Sequence, residues 1–247
     1  MSDLVVPKHI GYIVDGNRRW AKTHGLPAYE GHLAGYNTLQ DVAKASFDAG
    51  AEYVSVYIFS TENWKRSEDE VGRLMGLVLK LLTSDVHIFS DNNIKLKVLG
   101  SKDNVSKKIL KAIDDAEEKT AHNNGGTLAV CFNYGGQLEL VDAVKNIIRS
   151  SVSEANVTIE TIADNLYTPE IPPIDIMVRT RGEIRLANFI LLRAAYSELL
   201  CLEKLGPDMT KDEVTSIIDK HYRGTTRDGG DLELVLGVLV GGVLWVF

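Results

Sequence analysis

Residues 9–22 read HIGYIVDGNRRWAK, an apolar run that stops at the turn signal Asp15-Gly16-Asn17 and continues as a helix-compatible segment. This pattern predicts a strand–turn–helix unit with Asp15 where the strand ends, at the rim where open α/β sheets bind ligands. The backbone N–H groups of Gly16 to Arg19 would face the same point and form an anion site. Basic side chains add positive charge there: Arg18, Arg19 and Lys22. A lone carboxylate among anion-binding donors favours a divalent metal that bridges it to a phosphate.

The same turn also fits a simpler interpretation, in which Asp15 only caps the helix and the arginines form a solvated face. Turns of this composition are common, so the stretch by itself does not decide between the two. The rest of the chain has to supply the remaining evidence.

The composition is that of an ordinary globular protein: 247 residues, 45% hydrophobic and 25% charged. No long linker and no internal repeat divides the chain, which predicts one domain. The net charge of −7 argues against nucleic acid as a main partner. Cys131 and Cys201 stand in apolar surroundings and suggest buried thiols in a reducing cytosol. The first residues do not have the pattern of a signal peptide.

Segments of strand type alternate with segments of helix type along the chain, which predicts an α/β fold with a mostly parallel sheet. We expect a single domain with a central sheet of about six strands flanked by helices. After the first strand, further strands are predicted at 52–59, 94–99, 127–132 and 174–178. Helices are predicted at 32–49, 67–82, 105–120, 138–149, 159–166, 185–195 and 211–222. Several predicted strands end in polar turns, which would meet at one edge of the sheet.

Five of these polar blocks together are far more specific than any one of them. They are DGNRRW at 15–20, Gly31-His32, FSTENWKR at 59–66, NYGG at 133–136, and RTRGE at 179–183 followed by Arg185, Asn188-Phe189 and AYSE at 195–198. In order and spacing they resemble the cis-prenyltransferase family, undecaprenyl diphosphate synthase and its relatives. The resemblance extends over about residues 7–223.

The resemblance implies a transferase that condenses isopentenyl diphosphate onto an allylic diphosphate, usually farnesyl diphosphate. Each round makes a new Z double bond, and the product is a polyprenyl diphosphate such as undecaprenyl diphosphate. Two diphosphates carry much negative charge, so a cationic floor and Mg²⁺ are expected. By position, Asp15 matches the aspartate that handles Mg²⁺. Glu198 matches a carboxylate that completes the metal shell, in the family near a dimer interface.

The resemblance also implies a substrate-binding set. Gly16 to Arg19, His32 and Arg66 match the allylic diphosphate site, and Arg179 and Arg185 match the isopentenyl diphosphate clamp. Arginine suits that clamp because its fork binds phosphate oxygens in pairs. Asn63 matches the residue often assigned to proton removal, but an amide is a poor base, so we expect it to orient substrate. The remaining members of the set are Trp20, Ser60, Thr61, Glu62, Trp64, Leu186 and Ala187. Trp20 and Trp64 would flank the reacting prenyl groups.

The chain departs from the family pattern at four places. Ala28 stands where an arginine usually contacts the allylic diphosphate, and Ala187 replaces a serine that helps to hold isopentenyl diphosphate. Arg181 replaces a small residue and could add a phosphate contact or crowd the site. The stretch 206–209 lacks the tryptophan expected before its proline. The effect of these changes on substrate affinity is open.

A growing hydrocarbon product needs a dry tunnel. Two sets of apolar residues are candidates to line it: Leu74, Met75, Val78, Leu79 and Leu82 on one helix, and Leu128, Val130 and Phe132 on a strand. Plain core packing explains the same stripes equally well.

The end of the chain is unlike the family. We expect residues 1–230 to form the catalytic domain and 231–247 an apolar tail, of which the last fourteen residues carry no charge. As a helix those fourteen would span about 21 Å, less than the roughly 30 Å of a bilayer core. The tail could contact a membrane surface or a partner chain.

The leading hypothesis is an Mg²⁺-dependent enzyme that works as a homodimer in the cytoplasm, near the membrane that takes its product. The alternative is a catalytically weak homologue that serves as an accessory subunit of a prenyltransferase complex. Retention of Asp15 and Arg19 favours the enzyme, whereas Ala28, Ala187 and the tail favour the accessory role. The motifs do not specify the product chain length or the preferred allylic primer.

Overall fold

The computed structural model describes residues 6–225 and 243–246 and contains one seven-stranded sheet in the order β3-β4-β2-β1-β5-β6-β7. The strands are β1 His9–Ile13, β2 Tyr53–Ser60, β3 Ile94–Leu99, β4 Gly126–Tyr134, β5 Ile176–Arg179, β6 Glu198–Leu202 and β7 Val243–Val246. The first six pair in parallel, and β7 pairs antiparallel with β6. The predicted α/β sheet of about six mostly parallel strands is confirmed. The predicted domain boundary after residue 230 lies outside the described residues.

The helices cover both faces of the sheet, and six of them overlap predicted helices, with ends that differ by up to four residues. The helices are α1 Asn17–Thr23, α2 Ala28–Asp48, α3 Glu68–Leu82, α4 Val86–Ser90, α5 Lys107–Thr120, α6 Gly136–Arg149, α7 Ile159–Ala163 and α8 Lys211–Thr225. The short helix α4 was not predicted. Ser67 caps α3 by accepting a hydrogen bond from the Glu70 N–H. Among the described residues, no helix has both the length and the apolar character needed to cross a membrane.

β1 occupies the centre of the sheet, and this position explains where a ligand can bind. The chain runs from β1 to β2 on one side, and β5 returns to pair with β1 on the other side. A parallel sheet opens a crevice at such a reversal, outside the carboxyl ends of its strands. Asp15 follows β1 directly at this point, as the sequence predicted.

Two apolar clusters hold the helices against the sheet. The larger one joins one face of the sheet to the inner sides of α2, α3, α4, α5 and α8, and the smaller one covers the other face. Cys131 and Cys201 are both buried and unpaired, as expected, and burial raises the pKa of each thiol.

The prediction of a helix over 185–195 was wrong. The segment forms a series of turns, with left-handed backbone at Ala187, Asn188 and Ile190. Asn188 explains part of this conformation, because its carbonyl accepts from the Gly136 N–H (2.7 Å) and its side-chain oxygen from the Gln137 N–H (2.9 Å). These bonds satisfy the start of α6 instead of continuing a helix. The strand β6 that follows was not among the individually predicted strands.

His9 is fully buried at the start of β1. Its hydrogen bonds define which ring nitrogen carries the proton. Its Nδ1 lies 2.8 Å from the Pro172 carbonyl oxygen, which can only accept, so Nδ1 carries the proton. Nε2 then accepts from the Ser55 hydroxyl at 2.7 Å. Burial lowers the pKa of His9 to about 4 from an ordinary value of 6.5. The folded chain therefore holds a neutral imidazole across the mildly acidic range.

This shift predicts a pH-dependent loss of stability. Between pH 6.5 and 4 the unfolded chain binds a proton that the folded chain does not, so stability falls as the pH falls. We expect the titration of His9 to lower the free energy of unfolding by about 2–3 kcal/mol between pH 6.5 and 4.5. Urea unfolding at the two pH values measures it, with His9→Asn as the variant that removes the titrating ring. Equal losses in both proteins would contradict the assignment.

Candidate active site

One cavity of about 1090 Å³ opens at the carboxyl ends of β1, β2 and β5. Its mouth carries charged side chains, and its interior is lined by apolar residues of the sheet and of the facing sides of α2 and α3. The interior residues include Leu39, Ala43, Val56, Leu74, Leu77, Val78, Leu81 and Leu128. Most of the predicted site residues lie on this cavity: Asp15, Gly16, Asn17, Arg18, Arg19, His32, Ser60, Glu62, Asn63, Arg66, Arg179, Arg185 and Ala187.

Asp15 is fixed by its backbone and leaves its carboxylate at the mouth. Its N–H donates to the Thr180 hydroxyl (2.8 Å), and its carbonyl accepts from that hydroxyl (2.8 Å) and from the Gly206 N–H (2.7 Å). The side chain is 37% exposed, and Oδ2 accepts from Arg179 Nη2 at 2.7 Å. The carboxylate is thus oriented while part of it still faces the cavity.

The first group of charges is the Glu70 cluster, defined as Glu70 with Arg18, His32 and Arg66. The Glu70 carboxylate accepts from Arg66 Nη1 at 2.8 Å and from His32 Nε2 at 3.1 Å, and it lies 3.9 Å from Arg18 Nη1. Burial opposes ionisation of Glu70, but the His32 hydrogen bond and the two guanidinium charges outweigh it, so its pKa lies below the usual value. Burial also lowers the pKa of His32.

The second group is the Glu183 cluster, defined as Glu183 with Arg179, Arg181 and Arg185. The Glu183 carboxylate lies 3.5 Å from Arg179 Nη2 and 3.4 Å from Arg181 Nη1, and it also pairs with Arg185. The Arg179 side chain is only 2% exposed. Two clusters of one carboxylate and three basic side chains therefore meet at the same cavity mouth.

Neither central carboxylate was predicted to organise the site. Glu70 stands four residues after Arg66 at the start of a helix, a spacing that indicates a side-chain pair. Glu183 stands inside the RTRGE block and had no role assigned. Each holds basic side chains that would otherwise repel one another.

Asn63 sits in the 3₁₀ turn Thr61–Lys65 that follows β2. Its side-chain oxygen accepts from the Ser60 N–H at 3.1 Å, so the NH₂ group is the part able to bind a ligand. This geometry fits an orienting role and not that of a base. Glu62 of the same turn accepts from Asn188 Nδ2 at 3.0 Å, which ties the turn to the segment after the Glu183 cluster.

Three buried polar atoms have no hydrogen-bond partner in the described part of the chain: Asn17 Oδ1, Arg179 Nε and Glu183 Oε2. Buried polar groups are rarely left unpaired. Asn17 is also tightly enclosed, because a Cβ on Gly31 would lie 2.0 Å from its carbonyl oxygen and one on Gly35 2.4 Å from its Oδ1. Glycine at both positions lets α1 and α2 pack at the cavity mouth.

Four predicted substrate-binding residues do not line the cavity. The Trp20 indole donates to Asp208 (2.7 Å) and stacks on His24, and the Trp64 indole donates to Asn133 (2.7 Å). Thr61 faces Gly135, and Leu186 packs on the smaller apolar cluster. The two tryptophans are therefore engaged elsewhere and do not flank the cavity interior in this structure.

Glu198 lies at the wrong end of the sheet to join Asp15 within one chain. It begins β6 and pairs in register with Ile176, whereas the mouth begins beyond Arg179 at the other end of β5. The separation along the strands is at least about 10 Å. The predicted metal set of Asp15 and Glu198 is not brought together in the chain.

The apolar residues that were predicted to line a product tunnel fall into two groups. Leu74, Val78 and Leu128 line the cavity, whereas the other five residues pack in the core: Met75, Leu79, Leu82, Val130 and Phe132. Core packing, the simpler interpretation, therefore applies to the larger part of the stripe.

Within the described residues there is no cluster of three or more His, Cys, Asp or Glu side chains that could hold a metal ion. Among the described residues that line the cavity, Asp15 and Glu62 carry carboxylates, and Asp15 is the one that follows β1. A hard oxygen donor of this kind fits Mg²⁺, which binds proteins through one or two carboxylates and takes further oxygens from phosphates and water. The donor set fits a metal that arrives with a diphosphate.

Comparisons with known proteins agree with this geometry. The family model described as putative undecaprenyl diphosphate synthase matches residues 13–229. An isoprenyl transferase from Neisseria meningitidis is 43% identical over 95% of this chain and 95% of its own length. Another from Thermotoga maritima is 39% identical over 91% of this chain and 97% of its own.

A solved structure shows the same fold. The crystal structure of lavandulyl diphosphate synthase from Lavandula x intermedia, in complex with dimethylallyl diphosphate, superposes with a TM-score of 0.84 at 28% identity, over 89% of this chain and 97% of that one. The resemblance drawn from the five sequence blocks is thus confirmed. The chain is a prenyltransferase and belongs to the undecaprenyl diphosphate synthase family.

Proposed function

We propose that the chain is an Mg²⁺-dependent cis-prenyltransferase that condenses isopentenyl diphosphate with an allylic diphosphate, preferably farnesyl diphosphate, and releases a Z-polyprenyl diphosphate such as undecaprenyl diphosphate. The observation that carries this proposal is the cavity itself: two basic clusters share a mouth that leads into an apolar interior. Such a site fits two diphosphates and one growing hydrocarbon.

The allylic diphosphate is assigned to the Glu70 cluster and the start of α1. Arg18, His32 and Arg66 supply donors from three elements, and the first N–H groups of α1 have no partner within that helix. Arg19 and Lys22 add charge at the same rim. The apolar interior adjoining this rim would take the prenyl chain, with Leu74, Val78 and Leu128 among its walls.

Isopentenyl diphosphate is assigned to the Glu183 cluster. Arg179 is buried and has an unpaired Nε, and Arg185 is exposed beside it, so a diphosphate oxygen would satisfy the buried donor. Asn63 lines the same cavity, where its NH₂ group would orient a substrate.

The reaction breaks the allylic C–O bond, joins the allylic carbon to isopentenyl diphosphate and removes one proton from the latter. When bound, Mg²⁺ would neutralise the departing diphosphate, and Asp15 is the residue proposed to hold it. Arg18, Arg66 and His32 would stabilise the negative charge that develops on the departing diphosphate. The proton would go to a diphosphate oxygen, since the Asn63 amide is not basic.

We further propose that the enzyme acts as a cytoplasmic homodimer that delivers its product at a membrane surface. Three exposed apolar residues at helical spacing on α6 support an intermolecular contact: Val141, Val144 and Ile148. Glu198 would take part in metal binding only through such an assembly. A lipid product and an apolar tail support the membrane contact.

The direct test mixes the purified chain with farnesyl diphosphate, radiolabelled isopentenyl diphosphate and Mg²⁺. Butanol-extractable product that disappears on chelation of the metal supports the proposal. A folded chain that makes no product at high substrate concentration, but activates a second prenyltransferase chain, would instead support the accessory role.

Two departures from the family pattern give a gain-of-function prediction. Ala28 is exposed at the first residue of α2, and Ala187 lines the cavity. Restoring both polar groups with Ala28→Arg and Ala187→Ser should lower the KM values for the substrates about tenfold, since one added hydrogen bond to a charged group is worth about 1.5–3 kcal/mol. Steady-state kinetics with each substrate varied in turn measures the change. Unchanged KM values would show that neither position contacts a diphosphate.

A further inference from the structure

Arg181 has a backbone conformation that its side chain does not favour. Its φ is +81°, in the left-handed region, and the next residue, Gly182, has φ +68°. A glycine adopts such a turn without strain, whereas a long side chain does not. Two hydrogen bonds hold the turn in place, from the Arg181 N–H to the Lys204 carbonyl (2.7 Å) and from the Gly182 N–H to the Leu202 carbonyl (2.8 Å). The strain at Arg181 is therefore imposed by its surroundings.

The side chain of Arg181 faces the cavity of the candidate active site. Its guanidinium lies 3.4 Å from a Glu183 oxygen and is 41% exposed, on the same wall as Arg179 and Arg185. With Arg181, three guanidinium groups stand against two carboxylates here, Glu183 and the Asp15 that pairs with Arg179. The surplus of positive charge suits a diphosphate far better than it suits the ligand-free fold.

The strained arginine stands among residues of the candidate active site, because Arg179, Arg185 and Ala187 line the same cavity. Residues in strained conformations persist where the surrounding structure enforces them, and they collect at functional sites.

We propose that Arg181 is a substrate-binding residue that holds the diphosphate of isopentenyl diphosphate. This inference rests on the proposed function, because it assigns the Glu183 cluster to that substrate. The strained backbone at Arg181 would place its guanidinium where it binds the substrate. Loss of the side chain should then stabilise the fold and weaken one substrate only.

The test compares Arg181→Gly and Arg181→Gln with a control variant, Arg73→Gln. Arg73 is an exposed arginine that also pairs with a carboxylate, Asp69 at 3.0 Å, and it does not line the cavity. Arg181→Gly should raise the Tm by about 2–4 °C through relief of strain. Both Arg181 variants should weaken the binding of isopentenyl diphosphate about tenfold or more, as measured by KM and by calorimetric Kd. Both should leave the KM for farnesyl diphosphate within about twofold of the wild-type value. The control should change neither.

The outcomes separate this inference from the proposed function. An unchanged Kd for isopentenyl diphosphate overturns it, and so does an equal weakening of both substrates. A fall in Tm of Arg181→Gly also overturns it, because the loss of binding would then reflect a damaged turn. If the wild-type chain makes no polyprenyl product, the proposed function fails, while calorimetry with isopentenyl diphosphate still decides the role of Arg181.

Discussion

Asp15→Ala is expected to lower the rate of chain elongation about 10²–10³-fold, the size of effect seen when one preorganised electrostatic contact to a reacting group is removed. Asp15 is the carboxylate at the cavity mouth that we assign to Mg²⁺, and its removal also leaves the buried Arg179 without its 2.7 Å partner. The incorporation of radiolabelled isopentenyl diphosphate at saturating substrate measures the loss.

The fold should survive this substitution. The backbone N–H and carbonyl of residue 15, not its carboxylate, make the bonds to Thr180 and Gly206. The chain should therefore stay folded, and its Tm should fall by only a few degrees, because Arg179 keeps Glu183 at 3.5 Å as a second partner. Asp15→Asn is the matched variant, because it keeps the shape and removes the charge. If Asp15→Asn retains activity within about tenfold of wild type, the metal role of this residue is wrong.

Arg179→Met should be almost as damaging. The Arg179 guanidinium is buried, orients Asp15 through Nη2 and has an unpaired Nε at the cavity. Its loss removes two charged hydrogen bonds at about 1.5–3 kcal/mol each, which predicts a fall in kcat/KM for isopentenyl diphosphate of roughly 10²–10⁴-fold. Steady-state kinetics with farnesyl diphosphate held saturating gives this number.

Arg179→Lys separates charge from geometry. Lysine keeps the positive charge but lacks the planar fork that binds two oxygens at once. We expect it to recover at most a small part of the activity. Full activity of Arg179→Lys would show that the site needs only a point charge, and that the buried fork does not hold a diphosphate.

The sequence predicted the position of the site well because parallel strands carry their functional residues at one edge. Asp15, Ser60 and Arg179 each end or follow a strand, and the sheet order brings these ends together. This inference needs only the alternation of strands and helices. It did not need side-chain detail.

The errors have a common physical cause, since they concern side chains whose partners are distant in the sequence. Trp20 and Trp64 donate to Asp208 and Asn133, respectively 188 and 69 residues away. The segment 185–195 has the composition of a helix, but it is held in turns by bonds between Asn188 and the start of α6. No local pattern in the sequence reveals such contacts.

The metal role of Glu198 stays a prediction, because in this structure it would need a second chain. The AYSE block has the family spacing, yet in this structure it begins β6 at the end of the sheet remote from Asp15. For Glu70, the pairing with Arg66 could be suspected from spacing, whereas its contacts with His32 and Arg18 depend on the packing of α3 against α1 and α2.

The central claim is that one carboxylate and a ring of guanidinium groups bind diphosphates through Mg²⁺. The most direct measurement is calorimetric titration of Mg²⁺ into the chain alone and into its stoichiometric complex with a non-reacting thiodiphosphate analogue of farnesyl diphosphate. Since a single carboxylate binds Mg²⁺ weakly, the account predicts an affinity at least about tenfold higher in the complex, and linkage requires the analogue to bind more tightly with Mg²⁺ by the same factor. Asp15→Ala should abolish this coupling. Equal Mg²⁺ affinity with and without the analogue, or coupling that persists in Asp15→Ala, would contradict it.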